Sequence, residues 1–218
     1  MITKSLPLYI QAYQLLKEEI ILGIRKPGEK LIESKLSSEL GISRGPIREA
    51  LRMIEHDGLV VSNDMGLIVN PMNVQDVREV WHCRIANEPY AARLAIDHIT
   101  DSKIEELKEI IRESIRLRRE NNLKLYAETT AHFHNTITSL CGNKYLIEII
   151  DRISSLVLYS RTLEFIRYGP REGMDEEHMY IIELLEKRDK NRIESYMREH
   201  FIRDWEYNYS FWEDRIWG

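Results

Sequence analysis

Arginine recurs at every fourth position in one stretch of the sequence, GISRGPIREALRMI, which spans residues 41–54. In a helix, this spacing aligns Arg44, Arg48 and Arg52 on one face, while the apolar residues between them fall on another. Ser43 and Pro46 are typical of a helix start, where a hydroxyl caps free N–H groups and the missing N–H of proline costs nothing. Guanidinium groups beside such N–H groups, at the positive end of the helix dipole, form an anion-binding surface. The stretch therefore predicts an anion-binding helix face, with an ordinary solvated face as the alternative.

Three histidines in the second half of the chain have spacings that suit metal binding. His134, His178 and His200 each fall on a largely apolar stripe of a different predicted helix. Burying three imidazoles requires partners for all their ring nitrogens, and one divalent metal ion satisfies three of them at once. We therefore expect either a tris-histidine metal site or three histidines that are satisfied within the core. The remaining histidines lie on other faces or outside these stripes: His56, His82, His98 and His132.

An open tris-histidine site can also activate water, which makes a metal-dependent enzyme an alternative from another functional class. Such an enzyme needs a general base, but the sequence contains no H-E-x-x-H motif. We also expect no Asp or Glu within one helical turn on the metal-facing side of the three histidines, because Glu176 and Glu177 precede His178 on other faces. The sequence therefore favours binding over catalysis.

The elements that position these residues are nearly all helices. Apolar periodicity and turn residues predict helices at about residues 8–22, 33–40 and 44–56, with the segment RKPGEKL as a turn between the first two. The run LVVSNDMGLIVN predicts a hairpin, since two β-branched segments flank a turn. Pro89 predicts a kink in the helix that contains it. Six further helices are predicted at about 74–98, 102–120, 123–140, 144–167, 174–187 and 190–212.

This order of elements predicts the fold class and the domain organisation. The fold is expected to be mainly α, with an N-terminal winged helix-turn-helix that has a small β-hairpin wing, and a C-terminal all-α bundle of about six helices. The boundary falls at NPMN, which gives domains 1–71 and 72–218. In a winged helix-turn-helix, the second helix of the motif lies in the major groove and the hairpin touches the backbone or the minor groove. The candidate DNA-binding residues are therefore Ser43, Arg44, Gly45, Arg48, Arg52, Asn63, Asp64 and Gly66.

Composition limits the classes of protein that remain. With 43% hydrophobic and 31% charged residues among 218, the chain is expected to be soluble and globular. No apolar run approaches the ~20 residues of a membrane helix, and no signal-peptide pattern is present. We therefore expect no membrane partner and a cytoplasmic location, in line with only two cysteines. The net charge of -5 arises after residue 70, and a neutral first domain with a local basic patch can still bind DNA.

The stretch GEKLIESKLSSELGISRGPIREALRMIEHDGLVVSNDMGLIV closely resembles the N-terminal domain of the GntR family of bacterial transcription regulators. The resemblance implies that Arg44, Gly45, Arg48 and the wing tip contact DNA. Some members carry an arginine at the position of Ser34, so the matching contact is not expected here. Glu33, beside it, is interpreted as a capping or solvated side chain.

The remainder resembles the effector domain of the FadR branch of that family, through the segments WHCRIANEPYAARLA, FHNTITSLCGN, EEHMYIIELL and MREHF. Many such domains bind a metal ion through an aspartate and three histidines, and the matching positions are Thr130, His134, His178 and His200. Because threonine replaces the aspartate, the resemblance implies a tris-histidine site for a divalent ion, Zn or Ni. Its open positions favour a carboxylate-bearing effector.

Arg84 matches an arginine that other members place at the edge of the cavity, where it can hold an acid; its position one turn before Glu88 also suits a plain ion pair. Arg84 and Thr130 are therefore the candidate effector-binding residues. These observations predict a ligand-responsive transcription regulator that binds a two-fold symmetric DNA operator as a homodimer and is controlled by a small organic acid. The alternatives are the metal-dependent enzyme and a metal-free regulator that binds an acyl group directly.

Overall fold

The computed structural model describes residues 6–213, with side chains as far as residue 209. The chain divides into two compact units that meet between Met72 and Asn73. Within the described range, no helix is both long enough and apolar enough to cross a membrane.

The first unit contains three helices and a hairpin. Its elements are α1 (Leu8–Ile21), α2 (Glu33–Leu40), α3 (Arg44–His56), β1 (Val60–Asn63) and β2 (Gly66–Val69). Helix α3 packs on both α1 and α2, and Leu16, Ile20 and Ile47 are among the side chains buried between them. Gly41 ends α2 with a φ of 65°, in the left-handed region where glycine is favoured, and so permits the tight turn into α3.

The hairpin is antiparallel, with Val60 paired to Val69 at its base and Asn63 paired to Gly66 at its tip. The segment before α2, which the sequence predicted to be only a turn, adds a short third partner to this hairpin. Lys30 forms a bridge with Ile68, and the neighbouring backbone N–H of residue 31 donates to the carbonyl of residue 67 at 2.9 Å. The pattern-based prediction missed this pairing because two or three residues are too few to show alternation.

The second unit is helical throughout its described part. Its helices are α4 (Val74–Ala95), α5 (Asp101–Arg119), α6 (Leu123–Ser139), α7 (Lys144–Tyr168), α8 (Met174–Glu186) and α9 (Lys190–Glu213). Side chains of Asn73, Thr100, Asn122 and Asn143 accept backbone hydrogen bonds at the starts of α4 to α7, which explains why these helices begin where they do. Helix α4 packs along α9, and α5 packs against α6 and α8. The predicted fold class, a mainly α chain with a winged helix-turn-helix, is confirmed.

Helix α4 continues through Pro89, where the sequence predicted a kink. Proline has no N–H to donate to the carbonyl four residues earlier, which belongs to Ile85. The guanidinium of Arg198, on α9, donates to this carbonyl at 3.1 Å. A side chain from the neighbouring helix therefore replaces the hydrogen bond that proline removes.

Candidate functional site

Helix α3 presents one apolar and one charged face. Its buried residues are Ile47, Ala50, Leu51 and Ile54, so the side chains between them face outward. Ser43 precedes the helix in extended backbone (φ -66°, ψ 162°), as an N-cap residue does. Its hydroxyl makes no capping hydrogen bond within the described residues, contrary to the expectation from sequence.

The arginines of α3 are exposed and differ in their partners. Arg48 donates from Nε and Nη2 to the two carboxylate oxygens of Glu33 on α2, each at 3.1 Å. Arg52 donates to Glu49 at 3.1 Å. The hydrogen bonds from Arg48 hold the pKa of the Glu33 carboxyl below its usual value, and the charge of Arg44 adds to this effect. Glu33 is therefore an ion-pair partner of the arginine face, and its side chain remains partly exposed to solvent.

Gly45 and the wing tip are also exposed. A Cβ built at Gly45 would meet no described atom within 4 Å, so packing within the unit does not require a glycine there. At the wing tip, the side-chain oxygen of Asn63 accepts the N–H of Met65 at 2.8 Å. Asp64 and Gly66 complete the tip. All eight candidate DNA-binding residues therefore lie at the surface of the first unit.

The structure brings the three histidines together inside the second unit. His134 comes from α6, His178 from α8 and His200 from α9, and all three are buried. Their ring centroids are separated by 5.1, 5.4 and 5.0 Å, and one nitrogen from each ring lies within 4.8 Å of the others. Three separate helices thus direct their imidazoles to one point, as the apolar stripes predicted.

Five of the ring nitrogens at this centre have no hydrogen-bond partner among the described residues: both of His134, both of His178 and Nε2 of His200. Burial lowers the pKa of His134 and of His178 well below the usual value, and nearby positive charges, including Arg84, act in the same direction. These imidazoles are consequently neutral near pH 7, with lone pairs available. Clustered neutral imidazoles are the donor set that divalent zinc or nickel prefers, so the residues fit a metal ion.

A carboxylate orients the third histidine. Nδ1 of His200 is 2.6 Å from an oxygen of Glu177, which also accepts from Arg171 at 2.6 Å and, through its other oxygen, from Arg203 at 2.8 Å. Burial opposes ionisation of Glu177, but these partners outweigh it and lower its pKa to about 2. An ionised carboxylate at Nδ1 leaves Nε2 as the acceptor nitrogen, which is how histidine ligands are commonly held.

Asp204 contradicts the expectation that no acidic residue lies one turn from the histidines. It follows His200 by four residues on α9, is completely buried, and places Oδ2 3.8 Å from Nε2 of His200. Arg161 donates to Oδ2 at 3.1 Å, and Arg171 donates to Oδ1 at 3.0 Å. The four-residue spacing was visible in the sequence, whereas the arginine partners come from distant segments.

Arg84 and Glu88 form the buried ion pair that their spacing predicted, with Nε and Oε1 2.8 Å apart. The guanidinium carbon also lies 4.0 Å from the ring centre of Phe201. Nη1 of Arg84 and Oε2 of Glu88 have no partner among the described residues. Both residues border a narrow space of about 10 Å³, together with His134, Asn135 and residues of α7. This space holds about one water molecule.

Thr130 is completely buried on α6, one turn before His134. Its hydroxyl donates to the carbonyl of Ala127 at 3.0 Å, in its own helix. The hydroxyl proton is therefore satisfied locally, as is common for threonine inside helices.

A winged helix-turn-helix with arginines on its second motif helix, joined to a helical unit with a buried polar centre, is typical of DNA-binding transcription regulators. The chain matches the family described as "Bacterial regulatory proteins, gntR family" over residues 8–67 and the "FCD domain" over residues 79–203. It is 30% identical to the uncharacterized HTH-type transcriptional regulator YdhC of Bacillus subtilis (strain 168), over 94% of this chain and 92% of that protein. The chain belongs to the GntR family, and its second unit contains an FCD domain.

Other relatives agree with this assignment. The HTH-type transcriptional repressor RspR of Escherichia coli (strain K12) is 27% identical over 89% of this chain and 86% of its own length. The solved structure of E. coli McbR/YncC shares the fold, with a TM-score of 0.81 at 21% identity, covering 96% of this chain and 99% of that one. Because the family consists of transcription regulators, the metal-dependent enzyme considered from the sequence is not retained.

Proposed function

We propose that this regulator binds a two-fold symmetric DNA operator as a homodimer and that a small carboxylate effector, bound at a metal-loaded histidine centre, controls its affinity for DNA. In the first unit, Arg44 and Arg48 contact base edges in the major groove and Arg52 contacts phosphate. Gly45 allows close approach of the duplex, and Ser43 and the wing tip (Asn63, Asp64, Gly66) contact the backbone or the minor groove.

The observation that carries the effector part of this proposal is the set of five unpartnered ring nitrogens at the histidine centre. Leaving buried polar atoms without hydrogen bonds costs about 1–3 kcal/mol each, so a fold with so many at one point is explained best by a ligand that satisfies them. His134, His178 and His200 would hold a divalent zinc or nickel ion. When bound, the ion supplies positive charge and open coordination positions for a carboxylate.

Arg84 is the second contact proposed for the effector. Its free Nη1 borders the narrow space beside His134, so a carboxylate there would face both the guanidinium and the histidine centre. Thr130, one turn before His134, would line the same centre. The space holds only about one water molecule, so an effector must separate α4, α6 and α7 to enter. Helix α4 begins two residues after the first unit ends, so a displacement of α4 acts directly on the connection to the DNA-binding unit.

Metal analysis and DNA binding of histidine variants test this proposal. The full-length protein is loaded with Zn²⁺, and its binding to an operator selected from random duplexes is measured with and without a panel of small carboxylates. We expect zinc to remain bound after mild chelation. We also expect at least one carboxylate to change the affinity for DNA. His178→Ala should abolish zinc retention and the carboxylate response, while His132→Ala should change neither, because His132 is exposed on another face of α6. An equal response in His178→Ala and the parent would refute the proposed site.

A further inference from the structure

The histidine centre has no anionic group on α6. Thr130 is neutral, and its hydroxyl proton is directed to the carbonyl of Ala127 at 3.0 Å. Three neutral imidazoles leave the charge of a divalent ion uncompensated, and an uncompensated charge in a buried position is strongly unfavourable. A carboxylate from another element would offset part of this charge before the effector binds.

Helix α9 carries such a carboxylate. Asp204 is completely buried, and its Oδ2 lies 3.8 Å from Nε2 of His200, the ring nitrogen that has no hydrogen-bond partner among the described residues. Glu177 occupies the other nitrogen of the same ring, Nδ1, at 2.6 Å. The two carboxylates therefore have separate positions: Glu177 fixes the orientation of the imidazole, and Asp204 lies beside Nε2. With Glu177, Asp204 forms a second group of possible ligand atoms, which shares only His200 with the group of three histidines.

The charge of Asp204 is fixed by two arginines. Burial disfavours an ionised carboxylate, and the guanidinium groups of Arg161 and Arg171 compensate its charge through direct hydrogen bonds. Arg171 donates to Oδ1 and Arg161 to Oδ2, so the carboxylate is held in position from both sides. Oδ2 accepts one hydrogen bond from Arg161 and, as a carboxylate oxygen, has a further lone pair.

We propose that Asp204 supplies the anionic oxygen that compensates the divalent ion, so that the carboxylate of this metal centre lies on α9 and not on α6. The proposal rests on the metal site proposed above. Arg161 donates to the same Oδ2 atom, so it would compete with a bound ion for this oxygen, and metal affinity would depend on the balance between these two cations.

Zinc affinity of the full-length protein tests the role of Asp204. The metal-free protein is prepared by chelation and titrated with Zn²⁺ in competition with a chromophoric chelator. Asp204→Asn should lower zinc affinity by about 10–100-fold, the range seen when a carboxylate that supports a metal site is lost. Thr130→Asp returns a carboxylate to α6. In the Asp204→Asn background, it should recover most of the lost zinc affinity, and in the parent it should raise zinc affinity by a smaller factor.

Asp175→Asn is the matched control. Asp175 is also a buried aspartate held by an arginine, since it accepts from Arg118 at 2.9 Å and from the hydroxyl of Tyr126 at 3.0 Å. It does not belong to the groups whose ligand atoms come together at the histidines. This variant also loses an aspartate–arginine ion pair, here a half-buried one, and its zinc affinity should equal that of the parent.

Folding is checked by thermal melting of each metal-free variant, because Asp204→Asn removes the partner of two arginines. If that variant does not fold, Arg161→Gln carries the test. This change frees Oδ2 while Arg171 still holds Asp204, and zinc affinity should rise about tenfold, a gain that misfolding cannot produce. A parent that binds no zinc overturns the metal site itself, and the role of Asp204 with it. A parent that binds zinc, with Asp204→Asn binding it equally or Arg161→Gln showing no gain, overturns the role of Asp204 alone.

Discussion

At the scale of single residues, the buried imidazoles link the stability of the second unit to pH. Burial and neighbouring charges lower the pKa of His134 and of His178 far below 6.5 in the folded protein. In the unfolded chain, both return to about 6.5. The unfolded state therefore binds more protons than the folded state once the pH falls below about 6.5, and stability must decrease with further acidification.

We expect the free energy of unfolding of the metal-free protein to fall by about 1.4 kcal/mol per pH unit for each of these two histidines below about pH 6.5. Above that pH, they contribute no slope, because they are neutral in both states. Urea denaturation between about pH 7 and pH 5 measures the effect. His178→Asn should remove the contribution of one proton from the slope of unfolding free energy against pH, whereas His132→Ala should leave this slope unchanged.

The arginines of α3 are expected to differ in how they affect DNA binding. Arg44→Ala should weaken operator binding by about 1–3 kcal/mol and relax the sequence preference at one base pair in each half-site. The reason is that a guanidinium in the first turn of a recognition helix contacts base edges. Arg52→Ala should weaken binding to all sequences alike and reduce the salt dependence, as loss of a phosphate contact does. Fluorescence anisotropy with a selected operator and a scrambled duplex distinguishes the two. If Arg44→Ala binds with parental affinity and selectivity, the assignment of α3 to the major groove is wrong.

At the scale of helices, α4 and α9 depend on one side chain that crosses between them. Arg198 donates to the carbonyl of Ile85, which Pro89 leaves without a helical donor. Arg198→Met should therefore reduce the stability of the protein by about 1–2 kcal/mol, because a half-buried carbonyl loses its partner.

The same substitution, Arg198→Met, should reduce the stability of the protein by less in a Pro89→Ala background. Alanine at this position restores an N–H that can donate to Ile85, so the arginine is no longer needed for that bond. A double-mutant cycle by urea denaturation measures the coupling. Additive effects of the two substitutions would show that Arg198 stabilises the pair of helices in another way.

Most helix boundaries were predictable because their signals are local. Helix α3 begins directly after Ser43 and ends at residue 56, as predicted, and Gly41, with a φ of 65°, follows α2 and suits the turn into α3. The bridge between Lys30 and Ile68 was missed because it involves too few residues to show a pattern.

The histidine cluster was predictable for a related reason, since each stripe could be found within one helix. The groups around it were not. Arg161 and Asp204 are 43 residues apart, and Glu33 and Arg48 are 15 apart, so only the tertiary fold brings them together. Asp204 could have been found, because it follows His200 by four residues in the sequence. The expectation that no acidic residue lies one turn from the histidines was wrong at this position.

At the scale of the whole molecule, a single winged helix-turn-helix contacts too few base pairs for regulatory affinity, and two copies about one helical turn apart overcome this limit. We therefore expect the full-length chain to sediment as a dimer at micromolar concentration and to bind one operator as two chains. Analytical ultracentrifugation with and without labelled operator measures the oligomeric state and the number of chains bound to each operator. A monomer that binds the operator one to one would exclude the dimer.

The pairing of Arg48 with Glu33 has a consequence for how such a regulator finds its operator in a genome. If Arg48 contacts DNA as proposed, it must exchange the carboxylate of Glu33 for a phosphate on random sequence, and this exchange would reduce the gain from each non-specific contact. A guanine in the correct place offers two acceptors that compete with both bonds to Glu33. With about 10⁶–10⁹ competing sites in a genome, occupancy of the operator depends on the ratio of specific to non-specific affinity, and a weaker hold on wrong sites raises that ratio.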